Sequence, residues 1–268
     1  MIPFWKVEAV GNGFVLVHAS DVVGVDLACL ARSVCEPRFG VGADGLLVVS
    51  PDLALRMFNP DGTEDFCGNG LRCAAWHIVG QGWAEGSFVI RHHGIDVAAC
   101  VHLDGMVEVT LLPASFDPLL VPLDLGLHSG ELWMEERWGG LASSVSTGTT
   151  HTVILVESLP SDEVFFSLSP QIENDPLFPD RTSVMWTQVV EPGRLKLRIW
   201  ERGAGATQGC GTGSSAAAVV YARSTGHRGR IEVENPGGTV LITLPKWDAP
   251  ITMASVTSVI FPGSWAVK

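Results

Sequence analysis

Two short segments of the chain share one pattern, in which a cysteine precedes a glycine-rich turn. Residues 67–75 read CGNGLRCAA, and residues 210–218 read CGTGSSAAA. Small residues follow each turn and favour a helix, so we expect each cysteine to stand at a helix N-terminus. Unpaired backbone N–H groups and the helix dipole stabilise a thiolate there and lower a cysteine's pKa. The pattern therefore predicts two activated thiols, Cys67 and Cys210.

A pair of activated thiols suits the inversion of a carbon atom that carries a carboxylate. One thiolate removes the proton from one face of the carbon, and a thiol returns a proton to the other face. The N–H groups of a helix N-terminus also bind a substrate carboxylate and stabilise charge that develops during deprotonation. A single free cysteine is commonly just a small buried residue, but two in matching turns are harder to explain that way. We predict that Cys67 and Cys210 are a catalytic acid–base pair.

Two other chemistries are compatible with parts of the sequence. Residues 203–209, GAGATQG, follow a predicted strand and precede a helix, as in NAD(P)-binding oxidoreductases, and Glu234 would then bind the ribose. This run lacks the alternating strands and helices that surround such a motif. A cysteine hydrolase would use His151 as its base, but the second cysteine turn would then have no role.

No cofactor and no metal are expected. Racemases that use pyridoxal phosphate need a lysine for the Schiff base. The lysines lie near the termini or in strand-like segments: Lys6, Lys196, Lys246 and Lys268. The cysteines show no Cys-x-x-Cys spacing, which disfavours a zinc site. A cofactor-independent mechanism is therefore the simplest hypothesis.

Composition excludes several classes of partner. The formal net charge of −12 over 268 residues argues against nucleic acid and against anionic membrane surfaces. Lys6 and Glu8 interrupt the first apolar stretch, so we expect neither a signal peptide nor a membrane span. Six cysteines are too few for a disulfide framework in a chain of this length. We expect reduced thiols, a cytoplasmic location and a small amino-acid substrate; a homodimer is compatible with the sequence.

The spacing of apolar residues predicts a mixed α/β (α+β) protein with more strands than helices. Short segments rich in Val and Leu predict strands over 14–18, 46–50, 53–58, 87–91, 97–101, 107–112, 152–156, 183–190, 195–200, 230–234 and 239–244. Helices are predicted over 26–35, 69–80, 169–174 and 213–223. The last is apolar on every face, which is typical of a buried helix. Each half is therefore expected to wrap its sheet around a central helix.

The two cysteine turns also predict an internal duplication. Residues 11–15 and 148–153 are a second, fainter repeat, a glycine-polar turn that leads into a strand. Residues 113–122 contain three prolines and form the best candidate linker. We predict one domain over 1–117, with 263–268 returning to it, and a second over 118–262, each with one cysteine.

These residues resemble the diaminopimelate epimerase family. The segments that carry the resemblance are 11–14 (GNGF), 42–47 (GADGLL), 58–62 (FNPDG), 67–73, 201–205 (ERGAG) and 210–213. The resemblance implies two pseudo-symmetric domains, each a curved, mostly antiparallel sheet around a central helix, with the active site in the cleft between them. It implies an isomerase independent of pyridoxal phosphate that converts LL-diaminopimelate into the meso form for lysine and peptidoglycan synthesis.

The resemblance also implies roles for individual residues. Cys67 and Cys210 correspond to the acid–base pair, and His151 and Glu201 to a supporting polar pair beside the thiols. Contacts to the reacting amino and carboxylate groups fall on Asn12, Gly68, Asn69, Gly211 and Thr212. Asn59 and Arg202 correspond to the grip on the distal end of the substrate, where a guanidinium can bind a second carboxylate through two hydrogen bonds.

The chain departs from the family pattern at several positions. Thr149 stands where the family usually has an asparagine near the reacting end, and Ser183 stands where it has a distal asparagine. Gly13 replaces a usual aspartate, and residues 91–94 replace Thr-x-Ala-Gly. Sites that hydrogen-bond a substrate discriminate strongly, so the missing amides leave open a racemase of another amino acid, such as histidine. A member of the family that only binds its ligand is a further alternative.

Overall fold

The computed structural model describes residues 1–117, 119–121, 123 and 133–266. The chain divides into an N-terminal unit, Met1–Thr110 with Ala254–Lys268, and a C-terminal unit, Leu111–Met253. The predicted boundaries at 117/118 and 262/263 lie later in the chain and stay predictions. Pro118 and Pro122 of the predicted linker, and residues 267 and 268 of the predicted returning segment, lie outside the described residues.

Strands outnumber helices in the described structure. The first seven are β1 (Ile2–Ala9), β2 (Asn12–His18), β3 (Gly45–Val49), β4 (Ala54–Phe58), β5 (Ser87–His92), β6 (Ile95–Val101) and β7 (Met106–Leu111). The others are β8 (Trp133–Glu135), β9 (Gly140–Ser146), β10 (Thr150–Val156), β11 (Ser183–Glu191), β12 (Arg194–Glu201), β13 (Gly205–Thr207), β14 (Gly229–Asn235), β15 (Gly238–Leu244), β16 (Ile251–Val256) and β17 (Ser258–Trp265). The α-helices of the described part are α1 (Leu27–Cys35), α2 (Gly68–Gly80), α3 (Asp162–Glu173) and α4 (Gly211–Thr225), and Ala19–Val22 forms a 3-10 turn.

The two units repeat one topology. The repeated elements of the N-terminal unit are β1, β2, α1, β3, β4, α2, β5 and β6; those of the C-terminal unit are β9, β10, α3, β11, β12, α4, β14 and β15, with the short β13 added between β12 and α4. Parallel pairs occupy equivalent places, β2 with β3 and β4 with β5 in one unit, β10 with β11 and β12 with β14 in the other. The intervening hairpins are antiparallel in both units. The predicted pseudo-symmetric, mostly antiparallel α+β fold is confirmed.

Each unit buries a central helix among its strands. Helix α2 contacts β1 to β6, and α4 contacts β9 to β12, β14 and β15. Every residue of α4 from Gly211 to Ala222 is buried. Its small side chains, such as Ala216 and Ala217, allow strands to pack closely on every side. No helix in the described ranges is long and apolar enough to cross a membrane.

The helices α1 and α3 cover the outside of their sheets in equivalent places. Asp26 caps α1 by accepting a hydrogen bond from the Cys29 amide, and Ser161 caps α3 by accepting one from the Val164 amide. Such caps satisfy N–H groups that have no partner inside the helix. In the C-terminal unit α3 packs Phe165 on a cluster around the fully buried Trp186.

A buried histidine lies near the C-terminus of α2. His77 Nε2 lies 2.8 Å from Nε2 of His18, and the rings of Trp5 and Trp83 pack against His18 with centroids 4.8 Å away. Burial, and to a smaller extent the neighbouring His18, lowers the pKa of His77 to about 4. Both imidazoles are therefore neutral at pH 7, and one donates a hydrogen bond to the other.

We expect the free energy of unfolding to fall as the pH is lowered from about 7 to about 5. Folded His77 has a pKa of about 4, whereas an unfolded histidine has one of about 6.5. The unfolded chain therefore binds the extra proton in this window, which removes about 2 kcal/mol of stability. Urea unfolding at both pH values measures the loss, and His77→Gln should remove this component. Identical pH dependence in the variant and the unmodified protein would contradict the expectation.

Candidate active site

The two cysteines of the sequence pattern begin the two central helices with the same backbone geometry. Cys67 is the N-cap of α2 with φ −139° and ψ 111°, and Cys210 is the N-cap of α4 with φ −136° and ψ 111°. In each case the sulfur accepts a hydrogen bond from the backbone N–H three residues later, at Gly70 or Gly213, over 3.3 Å. Both sulfurs therefore lie at the positive end of a helix, as the glycine-rich pattern predicts.

The third residue after each cysteine is a glycine, and a side chain of a neighbouring strand lies close to it. A Cβ on Gly70 would lie 2.8 Å from the Leu47 side chain on β3, and one on Gly213 would lie 2.5 Å from Met185 Sδ on the equivalent strand β11. Real Cβ atoms essentially never approach so closely. A larger residue at either position would therefore require the Leu47 or Met185 side chain to shift.

A polar residue from the turn of a hairpin contacts the second residue after each cysteine. Asn12, which follows the positive-φ Gly11, accepts a hydrogen bond from the Asn69 side chain. Thr149, which follows the positive-φ Gly148, donates one to the Thr212 hydroxyl over 3.3 Å. In each unit the fold thus brings the glycine-polar turn (residues 11–15 or 148–153) into contact with the cysteine turn (residues 67–75 or 210–218).

The backbone N–H of each cysteine is also bonded to a side chain at the end of an equivalent strand. Cys67 donates to His92 Nε2 at the end of β5 over 3.1 Å, and Cys210 donates to Asn235 Oδ1 at the end of β14 over 3.5 Å. Neither His92 nor Asn235 was expected from the sequence. Both are distant in sequence from their cysteines. The internal duplication could have indicated them, because each ends the strand that follows the central helix of its unit.

A chain of polar contacts links His151 to Cys210. His151 Nε2 lies 2.9 Å from the Thr149 hydroxyl, and Thr212 Oγ1 lies 3.4 Å from Cys210 Sγ. The Thr147 hydroxyl fixes this turn by donating to the Thr212 carbonyl over 2.8 Å. Burial, and then the positive charge of Arg202, lowers the pKa of His151 to about 3. His151 is therefore neutral, and its Nδ1 is buried without a hydrogen-bond partner in the described part of the chain.

Burial raises the pKa of the Cys210 thiol well above its ordinary value. The negative charge of Glu201 raises it further, while hydrogen bonds from Thr212 and from the Gly213 amide act in the opposite direction. The expectation that the helix N-terminus lowers this thiol's pKa is wrong for Cys210, because desolvation outweighs the helix dipole when the sulfur is buried. Cys210 is 6% exposed and Cys67 is half-buried, so the two sulfurs differ in solvation despite their matching geometry.

The predicted distal residues fall into two groups. Asn59 lies in a tight turn of the N-terminal unit and donates to the Thr63 hydroxyl over 3.0 Å. In the C-terminal unit the amide of the exposed Arg202 donates to Ser183 Oγ over 3.1 Å, and its guanidinium donates to the Asp180 carbonyl over 3.0 Å. Ser183 thus supports the backbone that carries Arg202.

A buried carboxylate that the sequence did not reveal anchors the same loop. Glu173, at the end of α3, accepts hydrogen bonds from the Gly203 amide over 2.9 Å and from Trp200 Nε1 over 2.7 Å. It also pairs with Arg181 over 2.9 Å. The neighbouring Glu201 accepts from the Thr207 hydroxyl over 2.6 Å. Arg202 therefore projects from a loop that is held on both sides.

The glycine run over 203–209 does not form a dinucleotide-binding turn. It leaves β12, forms the short strand β13 antiparallel to β12, and only then reaches α4. A phosphate-binding turn instead leads directly from a strand into a helix, so the NAD(P)-binding alternative is wrong. In the described ranges no group of three His, Cys, Asp or Glu side chains is placed to hold a metal ion.

Comparisons with known proteins agree with this geometry. Residues 4–115 and 143–258 match the family model described as diaminopimelate epimerase. Curated relatives named diaminopimelate epimerase include those of Desulforudis audaxviator, 34% identical, and Moorella thermoacetica, 35% identical, each over 98% of both chains.

Solved structures with the same fold include a PhzF-family phenazine biosynthesis protein from Bacillus anthracis, with TM-score 0.68 and 18% identity over 99% of both chains. A hydroxyproline epimerase from Agrobacterium vitis has TM-score 0.68 and 14% identity over 98% of this chain and 91% of that chain. At these identities the likeness concerns the fold alone. The family model and the relatives match almost the whole length, and the chain belongs to the diaminopimelate epimerase family.

Proposed function

We propose that the protein inverts one α-carbon of LL-diaminopimelate to give meso-diaminopimelate, with Cys67 and Cys210 as its acid–base pair. The observation that carries this proposal is the matched N-cap geometry of the two cysteines on duplicated helices. The names of the full-length relatives support the substrate. The enzyme is thus an isomerase, and its chemistry needs two proton-transfer groups of opposite protonation state.

The difference in solvation between the two sulfurs suggests which group carries the proton at the start. Cys210 is buried, and its raised pKa keeps it a neutral thiol, ready to donate. Cys67 is less buried and supplies the thiolate that removes the α-proton. Glu201, through its hydrogen bond and charge, stabilises the protonated form of Cys210. In the reverse direction the two sulfurs exchange roles.

The helix N-termini supply the groups that bind the reacting end of the substrate. We propose that N–H groups of the turns at Gly68, Asn69, Gly211 and Thr212 bind the α-carboxylate and stabilise the charge that develops when the α-proton leaves. Asn12 joins Asn69 and Thr149 joins Thr212 beside these turns. His151 remains neutral, so it contributes a hydrogen bond and no positive charge.

The distal end of the substrate explains the need for Arg202. Diaminopimelate has a second carboxylate, and a guanidinium binds such a group through two parallel hydrogen bonds. The loop contacts of Ser183 and Glu173 hold Arg202 in place for this role. Asn59 is proposed as a second distal contact. Thr149 and Ser183 stand where the family usually has asparagines. These two substitutions favour a second candidate function, the racemisation of another amino acid such as histidine.

We also propose a cytoplasmic location for the enzyme. All six cysteines are free thiols, which supports a reducing, cytoplasmic location. A homodimer is compatible with the sequence, and sedimentation of the purified protein tests it.

A panel of amino acids tests the proposed function. The purified protein is incubated with LL-diaminopimelate, with L-histidine and with other L-amino acids, and the products are separated on a chiral column. Formation of meso-diaminopimelate, with the other compounds unchanged, supports the proposal. Racemisation of histidine with diaminopimelate left unchanged would move the assignment to the second candidate. A protein that binds diaminopimelate but inverts no compound of the panel would support the ligand-binding alternative.

A further inference from the structure

We propose that His92 is a positioning residue for Cys67, acting as a neutral acceptor for the cysteine's backbone N–H. The inference rests on the proposed catalytic role of Cys67 and adds a residue that neither the cysteine motif nor the family resemblance singles out. His92 acts on the backbone of Cys67, so it needs no contact with the substrate. If His92 has this role, protonation of its ring at acid pH removes the acceptor and lowers the activity of the enzyme.

The hydrogen bonds of His92 define its tautomer. Nδ1 lies 3.1 Å from the Leu55 carbonyl oxygen, which can only accept, so Nδ1 carries the proton. In the neutral ring, Nε2 then has a free lone pair, and the Cys67 amide donates to it over 3.1 Å. The ring is 1% exposed and stacks on Phe66 with centroids 5.0 Å apart. His92 therefore has one orientation and one acceptor, which it directs at Cys67.

The C-terminal unit makes the same contacts with a different residue. Asn235 ends β14, the strand equivalent to β5, and its Oδ1 accepts from the Cys210 amide. The Asn235 amide group donates to the Val233 carbonyl over 3.0 Å, as His92 Nδ1 donates to a strand carbonyl. Its Oδ1 also accepts from the Ser214 hydroxyl over 3.0 Å. Two unrelated side chains thus fill one place, and what they share is an acceptor aimed at the cysteine N–H.

This acceptor matters because of the conformation that it holds. An N-cap residue must keep an extended backbone while its side chain accepts from the helix. The contact to His92 ties the Cys67 N–H down, and the hydrogen bond from Gly70 ties the sulfur down. Without an acceptor, the N–H in this part-buried turn loses a partner, and the sulfur loses a fixed position relative to the helix N-terminus.

Protonation of His92 would reverse the contact. A protonated imidazole has N–H groups at both nitrogens. The Nε2–H group would then face the Cys67 N–H group, and neither could accept a hydrogen bond from the other. Burial lowers the pKa of His92, and the neighbouring His93 lowers it further. The Leu55 carbonyl and the carboxylates of Glu64 and Asp65 act in the opposite direction. Because its pKa lies below the ordinary value, His92 is neutral at pH 7, and the contact is lost only on the acid side.

Three variants separate positioning from mere packing. His92→Gln keeps an acceptor near the place of Nε2 but cannot be protonated, and His92→Leu keeps bulk but has no acceptor. His93→Gln is the matched control, since His93 is adjacent and exposed. For each folded variant we would measure kcat and KM from about pH 5 to about pH 8. We would also follow alkylation of Cys67 by iodoacetamide at and above neutral pH, identified on its peptide by mass spectrometry.

We expect His92→Leu to lower kcat and the alkylation rate of Cys67 by about tenfold, the effect of one lost hydrogen bond, with KM little changed. His92→Gln should stay within about threefold of the unmodified protein at neutral pH, and His93→Gln should match the unmodified protein at and above pH 7. Toward the acid end of the measured pH range, kcat should fall more steeply as the pH decreases in the unmodified protein than in His92→Gln, because only the unmodified protein can also be protonated at residue 92.

Two results would overturn the inference. One is a His92→Leu variant with unaltered kcat and unaltered Cys67 alkylation. The other is equal impairment of the Gln and Leu variants with the same slope at acid pH, which would indicate packing alone. If the alkylation rates follow the expected order while no variant epimerises any amino acid, the positioning of Cys67 stands and the proposed function fails.

Discussion

Replacement of either Cys67 or Cys210 by serine should lower kcat for epimerisation by about a thousandfold, the usual contribution of a proton-transfer group. A serine hydroxyl is a far weaker acid than a thiol, so it neither forms the anion nor returns a proton at the needed rate. Serine is also a preferred N-cap residue, and it can accept the hydrogen bond that the Gly70 or Gly213 amide gives to the sulfur. The variants should therefore remain folded, and the loss should lie in the chemical step.

Cys29→Ser is the matched control for this experiment. Cys29 is a free and exposed thiol on α1, and it takes no part in the proposed site. Its variant should keep the full rate, which separates a loss of acid–base chemistry from a general effect of removing a thiol. Full activity in either Cys67→Ser or Cys210→Ser would refute the proposed pair.

Replacement of Arg202 by methionine should lower kcat/KM for diaminopimelate by about a hundredfold, as expected for loss of a charge-assisted hydrogen-bond pair. Most of the loss should appear in KM, because the guanidinium binds the distal carboxylate and not the reacting carbon. Arg202→Lys should recover only part of it, since an ammonium group cannot form the two parallel bonds. Steady-state kinetics with both variants measures the effect.

A second arginine provides the control for Arg202. Arg194 is also on the C-terminal unit and exposed, but its contacts are with Glu191 and Glu234. Arg194→Met should leave kcat/KM unchanged. If Arg202→Met were also without effect, the distal carboxylate would have to be bound elsewhere, and the assignment of the substrate would lose its structural support.

The parts of the site that follow from local sequence were predictable. Glycines at fixed offsets from Cys67 and Cys210 can only mark turns, and the small residues after them favour buried helices. The resulting α2 and α4 begin one or two residues before the predicted ranges. Each of the predicted strands coincides with an observed one, because a short segment rich in Val and Leu between turn residues is a local signal.

The strands β1 and β17 were not predicted, because local sequence signals do not reveal them. Pro262 and Gly263 lie inside β17, and such residues argue against a strand. The strand exists because it pairs with β1, at the opposite end of the chain. Gly263 leaves room for the Phe4 ring, 2.4 Å from where a Cβ would lie. The prediction of 169–174 also missed the first part of α3, which begins at Asp162. A proline usually marks a helix boundary, but Pro170 lies inside this helix.

The electrostatics of the site could not be read from the sequence. The glycine turn correctly predicts a helix N-terminus at Cys210, but the raised pKa of that thiol comes from burial and from Glu201, which are tertiary features. The contacts of His92 and Asn235 with the cysteines likewise depend on the return of a strand to the start of the preceding helix. Sequence patterns identify the reactive groups, and the fold sets their protonation and orientation.

In the mechanism that we propose, two cysteines act on opposite faces of one α-carbon. The most direct test is the reaction of LL-diaminopimelate in D₂O, stopped early and analysed for deuterium in product and in remaining substrate. If one cysteine removes the proton and the other returns a deuteron from solvent, the meso product carries one deuterium at the inverted carbon. The unreacted LL substrate then carries none. Deuterium appearing in recovered LL substrate as fast as in product would mean that one group both removes and returns the proton, and would contradict the claim.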